Sequence, residues 1–355
     1  MIIFSQSLGR NSRIFLAMMI ILSGSFLNGD AVLHGDFVHY YRVYNGLLES
    51  DFKYLSYFGG GIEVGLPIIY LILGKVFGTL NPSHFMTMQI FVSSLLFYIW
   101  LEMYAMRRFT STQKALCVAL SLMLFDFWFS AWLVRQVMAS IFILYALTSK
   151  STNAKWIFFL IAVSFHTTSI LFYPILYLLY NRPKIGIFIT IIICFGFCYF
   201  IDIIEFLWHL KLDFKPFIAL KSKLYPYIVS KSSLDASSIG ARNLLFCLIL
   251  LLGAVFYIKN QWKCVIIGLV CLYFCSVFIS AHFSIRIGVL LIYVAFGYFL
   301  FLAGRKQPFL LQIFCLCLLL NLAMVKSVFG DLTNTRIYHN NDIYGEAFYF
   351  LKEAK

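Results

Sequence analysis

Apolar runs recur along the whole chain, at 14–28, 62–80, 85–102, 115–133, 136–149, 156–180, 185–207, 243–258, 264–281, 287–303 and 308–326. Most approach the roughly 20 residues that a helix needs to cross about 30 Å of hydrocarbon. Inside hydrocarbon every backbone N–H and C=O must find a partner within the protein, and runs of this kind meet that demand as helices. The sequence therefore predicts an all-α, polytopic transmembrane helical bundle of about 9–11 membrane segments. It reads as a single integral membrane domain over 1–355, with two polar stretches, 29–61 and 208–242, as outer loops. No internal repeat is visible.

Composition excludes the soluble alternatives. Hydrophobic residues make up 62% and charged ones 12% of the chain, and the mean hydropathy is +0.88. Ordinary soluble domains hold only about 45–50% apolar residues. The formal charge of +13 is spread singly or in pairs between the apolar runs, as in "MRRFTSTQK", "SKSTNAK", "YNRPK" and "GRKQP". Charges so placed anchor helix ends among phosphate head groups, and no nucleic-acid partner is expected. The nine cysteines sit in or beside apolar runs without a CxxC pair, so neither a metal nor another cofactor is expected.

Sidedness follows from the basic residues. Arg10 and Arg13 precede the first run, which predicts an uncleaved first helix with a cytoplasmic N-terminus. If every run crosses fully, Arg107, Arg108 and Lys114 fall outside, against the positive-inside tendency. Reading 62–80 as a broken or re-entrant element returns them to the cytoplasm and puts Arg135 on the outer side. A second break within 156–180, where "FHTTS" and Pro174 interrupt the apolar pattern, is not forced by charge, since without it the basic stretch 208–242 becomes cytoplasmic, as the same rule favours. It is chosen because it gathers the unusual polar residues on that same outer face. Non-helical backbone at depth commonly lines a cavity.

Those polar residues are the candidate site. Arg135, in "WLVRQVMAS", is a permanent cation in apolar surroundings, where a charge costs about 2.5–3.5 kcal/mol on insertion scales. Either it snorkels from a helix end, or it is aimed into a pocket for an anionic group, with Gln136 adding donors and Ala139 leaving room. His166 is either a histidine bonded between helices or a proton carrier. Glu63 follows a glycine triplet, where it starts a helix favourably, pairs with Arg135, or accepts a proton. Asp36, Tyr40 and Tyr44 recur every fourth residue and line one helical face, a surface suited to a sugar or to an interfacial aromatic belt. The stretch 208–242 carries five lysines and Arg242 against Asp213 and Asp235, an electropositive lid for a diphosphate or a plain interfacial segment. Arg286 is a second arginine at a span boundary.

In order along the chain these residues resemble the EpsG-type branch of the Wzy polysaccharide polymerases. The likeness rests on Asp36, Phe37, Tyr40 and Tyr44 (D-[YF]-x-x-Y-x-x-x-Y), on Glu63 and Gly65 (E-x-G), on Arg135, Gln136 and Ala139 (R-Q-x-x-A), and on Phe165, His166 and Ser169 (F-H-x-x-[SA]); Arg286 fits more loosely. The resemblance implies a multi-span glycosyltransferase, metal-independent and glycosyltransferase-C-like in architecture. Its expected work is to join undecaprenyl-diphosphate-linked repeat units of O-antigen, capsule or exopolysaccharide at the outer face of the bacterial inner membrane. Donor and acceptor are both lipid-linked oligosaccharides, and a flippase and a chain-length regulator are the expected partners. Catalytic roles then fall to Arg135, His166 and Glu63, and substrate contacts to Asp36, Tyr40, Tyr44, Gln136, Arg242 and Arg286. A lipid-linked oligosaccharide flippase and an O-antigen-ligase-like transferase are the competing readings.

Overall fold

Helices account for every regular element among the described residues of the computed structural model, which cover 9–29, 36–199, 241–277, 281–307, 309, 311 and 312. In chain order they are α1 (Arg10–Asn28), α2 (Asp36–Leu48), α3 (Gly65–Phe77), α4 (Pro82–Trp100), α5 (Ser111–Met123), α6 (Phe127–Trp132), α7 (Val134–Thr148), α8 (Thr152–Phe165), α9 (Ser169–Asn181), α10 (Pro183–Cys198), α11 (Ala241–Phe256), α12 (Trp262–Val277), α13 (Ala281–Gly288) and α14 (Phe296–Gly304). Two short 3-10 turns, Phe52–Ser56 and Gly59–Gly61, lie between α2 and α3. The chain is an all-α polytopic membrane protein.

Local signals explain where several helices begin. Asn81 caps α4, its Oδ1 accepting the His84 N–H at 2.7 Å, with Pro82 at the first helical position. Thr110 and Gln113 form a reciprocal capping box that opens α5. Asp126 accepts the Phe129 N–H at 3.0 Å and starts the short α6. The apolar run 115–133, which reads as one segment, is thus divided into α5 and α6.

Among the described residues, α1 and Pro82–Ala105 are long and apolar enough to cross a bilayer alone. Helix α3 is equally apolar but has 13 residues, a rise of about 20 Å, short of the ~30 Å of hydrocarbon. Its outer stripe of Ile68, Ile72 and Val76 is exposed at four-residue spacing, a face suited to lipid. The break expected within 156–180 falls at 166–168, between α8 and α9, while Pro174 lies inside α9. Likewise 287–303 is divided among the end of α13, a π turn over Val289–Val294, and α14. The run 308–326 lies outside the described residues except for 309, 311 and 312, as does most of the lysine-rich stretch 208–242.

The polar stretch 29–61 is not a plain loop where it is described. Residues Asp36–Leu48 form α2, and its face of Phe37, Tyr40, Val43, Tyr44 and Leu47 is buried. Those side chains close around Phe85 of α4, with Leu66 and Tyr70 of α3, Met138 and Ala139 of α7, and Phe165 of α8. One compact unit comprises residues 1–173 and 293–355, and within it α7 packs along α8, α1 along α4, and α5 along α14. The other comprises 174–292, where α12 is flanked by α10, α11 and α13.

Arg13, read in the sequence only as a charge flanking the first run, is buried and paired. It is 3% exposed, and its Nε and Nη2 donate to the two carboxylate oxygens of Glu102 at 2.7 and 3.1 Å. Tyr98 adds a hydroxyl donor to the same carboxylate at 3.2 Å. Breaking one partner of a buried pair strands the other charge, at about 3–5 kcal/mol. Glu102→Gln is therefore expected to lower the melting temperature of the detergent-solubilised protein by several degrees. Arg10→Gln, removing an exposed arginine one turn away, is expected to leave it unchanged; equal melting of all three chains would refute the pairing.

Candidate functional site

Glu63 lies between the glycine turn and α3, 2% exposed. Four residues earlier, Gly59 has φ +58°, and a Cβ there would stand 2.5 Å from the Glu63 Cγ. Only glycine gives that turn both its left-handed backbone and the room for the carboxylate beneath it. On the other side, Gly65 lets α3 approach α8: a Cβ at Gly65 would meet the Ser164 Oγ at 2.7 Å and its carbonyl oxygen at 3.1 Å. The close approach carries Glu63 to the break between α8 and α9.

Each oxygen of that carboxylate has its own set of donors. Oε2 accepts from Arg135 Nη1 at 2.7 Å. Oε1 accepts from both the backbone N–H and the hydroxyl of Thr167, each at 2.9 Å. His166 Nδ1 stands 3.4 Å from the same oxygen. A carboxylate taken out of water needs such partners, because the desolvation of an ion in an apolar medium is otherwise uncompensated.

Arg135 is the second residue of α7, near the positive end of that helix's dipole, where a cation is disfavoured. The Glu63 carboxylate offsets both the dipole and the burial. Aromatic faces complete the surroundings: the guanidinium carbon is 4.7 Å from the Phe58 ring centroid and 5.8 Å from that of Tyr40. The arginine side chain keeps 24% of its surface open, while Glu63 below it keeps 2%. Of its five N–H donors, Nη1 serves Glu63 and the buried Nε has no partner among the described residues.

The helix break supplies the remaining groups. His166 ends α8 in an extended conformation, φ −154° and ψ 121°. Ser169 donates its hydroxyl back to the Ala162 carbonyl at 3.2 Å, a second donor to the oxygen that already takes the His166 N–H at 3.0 Å. Gln136 and His166 meet side chain to side chain, 3.1 Å between Gln136 Nε2 and His166 Nε2. The Thr168 backbone N–H and hydroxyl stand 3.3 and 3.2 Å from His166 Nδ1, the nitrogen that also faces Glu63 Oε1. Ala139, one turn beyond Arg135, is buried in the aromatic core.

The structure thus brings Glu63, Arg135, Gln136 and His166 into one cluster. It gives the two tyrosines another role. Tyr40 is 1% exposed, donates its hydroxyl to the Trp132 carbonyl at 3.3 Å, and sets its ring edge against Phe58. Tyr44 is fully buried, stacks on Phe85 at 4.5 Å, and donates to the Gly78 carbonyl. Neither ring has a face open to a sugar, since the aromatic side of α2 is the side that packs. Asp36 is exposed at the start of α2, and Arg286 is exposed on α13, in the other unit. The Arg242 side chain lies outside the described residues. Thr167 and Phe58 belong to the cluster and carry no motif position; the hydroxyl-rich "FHTTS" was the available signal for the first, and nothing signalled the second.

The family model described as the EpsG family matches residues 14–339. No curated protein and no solved structure matches the chain.

Glu63→Gln is expected to destabilise the protein by about 2 kcal/mol, less than for a fully buried pair because Arg135 is partly open. Adding Arg135→Met to that variant should recover most of the loss. Strict additivity in this double-mutant cycle, followed by thermal unfolding, would show that the two charges do not depend on each other.

Proposed function

The chain belongs to the EpsG family, and from that premise we propose that it polymerises a bacterial surface polysaccharide by joining undecaprenyl-diphosphate-linked repeat units at the outer face of the inner membrane. Family membership supports a membrane polysaccharide polymerase type of function. The lipid carrier, the outer face, the flippase and chain-length regulator as partners, and the independence from metal are parts of the proposal. The observation that carries it is Arg135, a guanidinium held on the buried Glu63 carboxylate with a quarter of its side chain open.

In the proposed reaction an acceptor hydroxyl oxygen attacks the anomeric carbon of the donor sugar. The bond from that carbon to the diphosphate oxygen breaks, and its electron pair leaves on the diphosphate. Arg135 stands where this negative charge develops. Fixed donors aimed at developing charge, in a site with little water, are the largest electrostatic aid a protein offers. A guanidinium fork matches phosphate oxygens and supplies the charge that a divalent cation would otherwise bring. The proton released by the acceptor hydroxyl passes to the pair formed by Glu63 and His166, 3.4 Å apart. Gln136 holds the imidazole, and Thr167 holds the carboxylate.

Asp36, exposed at the start of α2, is the remaining candidate of its motif for a direct sugar contact. Tyr40 acts behind Arg135 and Tyr44 within the core, so their substitution alters the site through packing.

Arg135→Ala is expected to abolish polymer while the protein stays in the membrane, and Arg135→Lys to recover little because a point charge does not replace the fork. The measurement is the length distribution of surface polysaccharide in a deletion strain carrying each variant. A deletion phenotype of single repeat units supports the polymerase. Absence of any attached repeat points to a ligase, and cytoplasmic accumulation of lipid-linked repeats to a flippase.

A further inference from the structure

Phe58 is 5% exposed although Tyr57 before it is 38% and Ile62 after it 57% exposed. What buries it is the site itself: its ring lies 4.7 Å from the Arg135 guanidinium carbon and meets the Tyr40 ring at 5.7 Å, 65° between planes. Three glycines follow with φ of +58°, +67° and +93°. This turn leads the chain in five residues from Phe58, whose ring the guanidinium carbon overlies, to Glu63, which holds one guanidinium nitrogen. Both contacts therefore belong to one short clasp on one cation.

The two contacts constrain different freedoms. The hydrogen bond from Nη1 to Glu63 fixes where one nitrogen sits but leaves the guanidinium plane free to rotate about that bond. A ring under the guanidinium carbon restrains that rotation, because turning about the bond to Glu63 swings the charge off the ring. A planar fork in a fixed plane recognises an anion with two oxygens at the matching spacing, whereas a rotating one acts as a point charge. We propose that Phe58 is a positioning residue that fixes the plane of Arg135 for a two-oxygen anion of the phosphate or diphosphate class. The proposal rests on the reading of Arg135 as the diphosphate-binding arginine, and it adds a residue that lies in none of the four motifs.

The test uses the full chain in lipid vesicles. Phenylglyoxal modification of Arg135 is followed by peptide mass spectrometry, with and without inorganic pyrophosphate. Phe58→Leu keeps an apolar side chain but loses the π face; it is expected to speed modification about three-fold, the scale of one partly exposed cation–π contact. It should raise the pyrophosphate concentration needed for half protection by a similar factor. Phe58→Trp, with a larger π face, is expected to restore both values, which a purely space-filling role would not require. Unchanged modification and protection in Phe58→Leu overturn the proposal, and so does a failure of Phe58→Trp to restore them. Should Phe58→Leu not fold, Phe58→Met, which fills the space without a π face, takes its place with the same expected and overturning results. If pyrophosphate gives no protection even to the natural chain, the diphosphate reading falls, and the modification rates alone still judge Phe58.

Discussion

A carboxylate buried in an apolar protein sets the terms for this site. Glu63 is nearly inaccessible, and moving its charge out of water is unfavourable by several kcal/mol unless donors replace the lost solvent. The chain supplies three, from Arg135 Nη1 and from the N–H and hydroxyl of Thr167. Those donors lie 72 and 104 residues away in sequence. One side chain thereby ties the turn before α3, the start of α7 and the break between α8 and α9. Arg135 depends on the same bond, since its own burial and its place at the head of α7 are offset by that carboxylate.

The breaks in the helices and the polar groups of the site have a common cause. Interrupting a helix in apolar surroundings frees backbone donors and acceptors that have no water to turn to. At 166–168 the Thr167 N–H goes to Glu63 and the Thr168 N–H to His166, while the Ser169 hydroxyl reaches back to the last turn of α8 at Ala162. The motif residues around the break are thus the partners of an opened backbone as well as candidates for chemistry. Gly65 belongs to the same logic, because a side chain there would push α3 away from Ser164 and take Glu63 out of reach. For that reason a loss of activity in a Gly65 or Ser169 variant reports on the frame of the site.

How much of this was legible in the sequence varies with the range of the interaction. Apolar runs and their interruptions are local, so the helical character, the break inside 156–180 and the four short motifs could be read directly. The four-residue spacing of Asp36, Tyr40 and Tyr44 puts them along one side of a helix, but does not say which way that side turns. The two tyrosines turn inward, Tyr44 onto Phe85 and Tyr70, while Asp36 at the start of the helix stays exposed. The pairing of Arg13 with Glu102, 89 residues on, was invisible, and so were the hold of Thr167 on Glu63 and the cover of Phe58 on Arg135. No period or local propensity encodes which distant donor a buried carboxylate meets.

The resting charge of the cluster bears on how an anion would use it. Glu63 and Arg135 neutralise each other in the resting cluster. On the proposed reading an arriving diphosphate would gain Arg135 by competing with Glu63, so that one anion is exchanged for another. Exchange yields less net energy than adding an anion to an unpaired cation, and it makes release correspondingly easier. The proposed transfer, which ends each time with a diphosphate to release, would be served by that balance, whereas a tight binder would use a bare cation. Glu63, displaced from Nη1, keeps its two Thr167 bonds and its place beside His166, which leaves it beside the reacting groups with one oxygen free to take a proton.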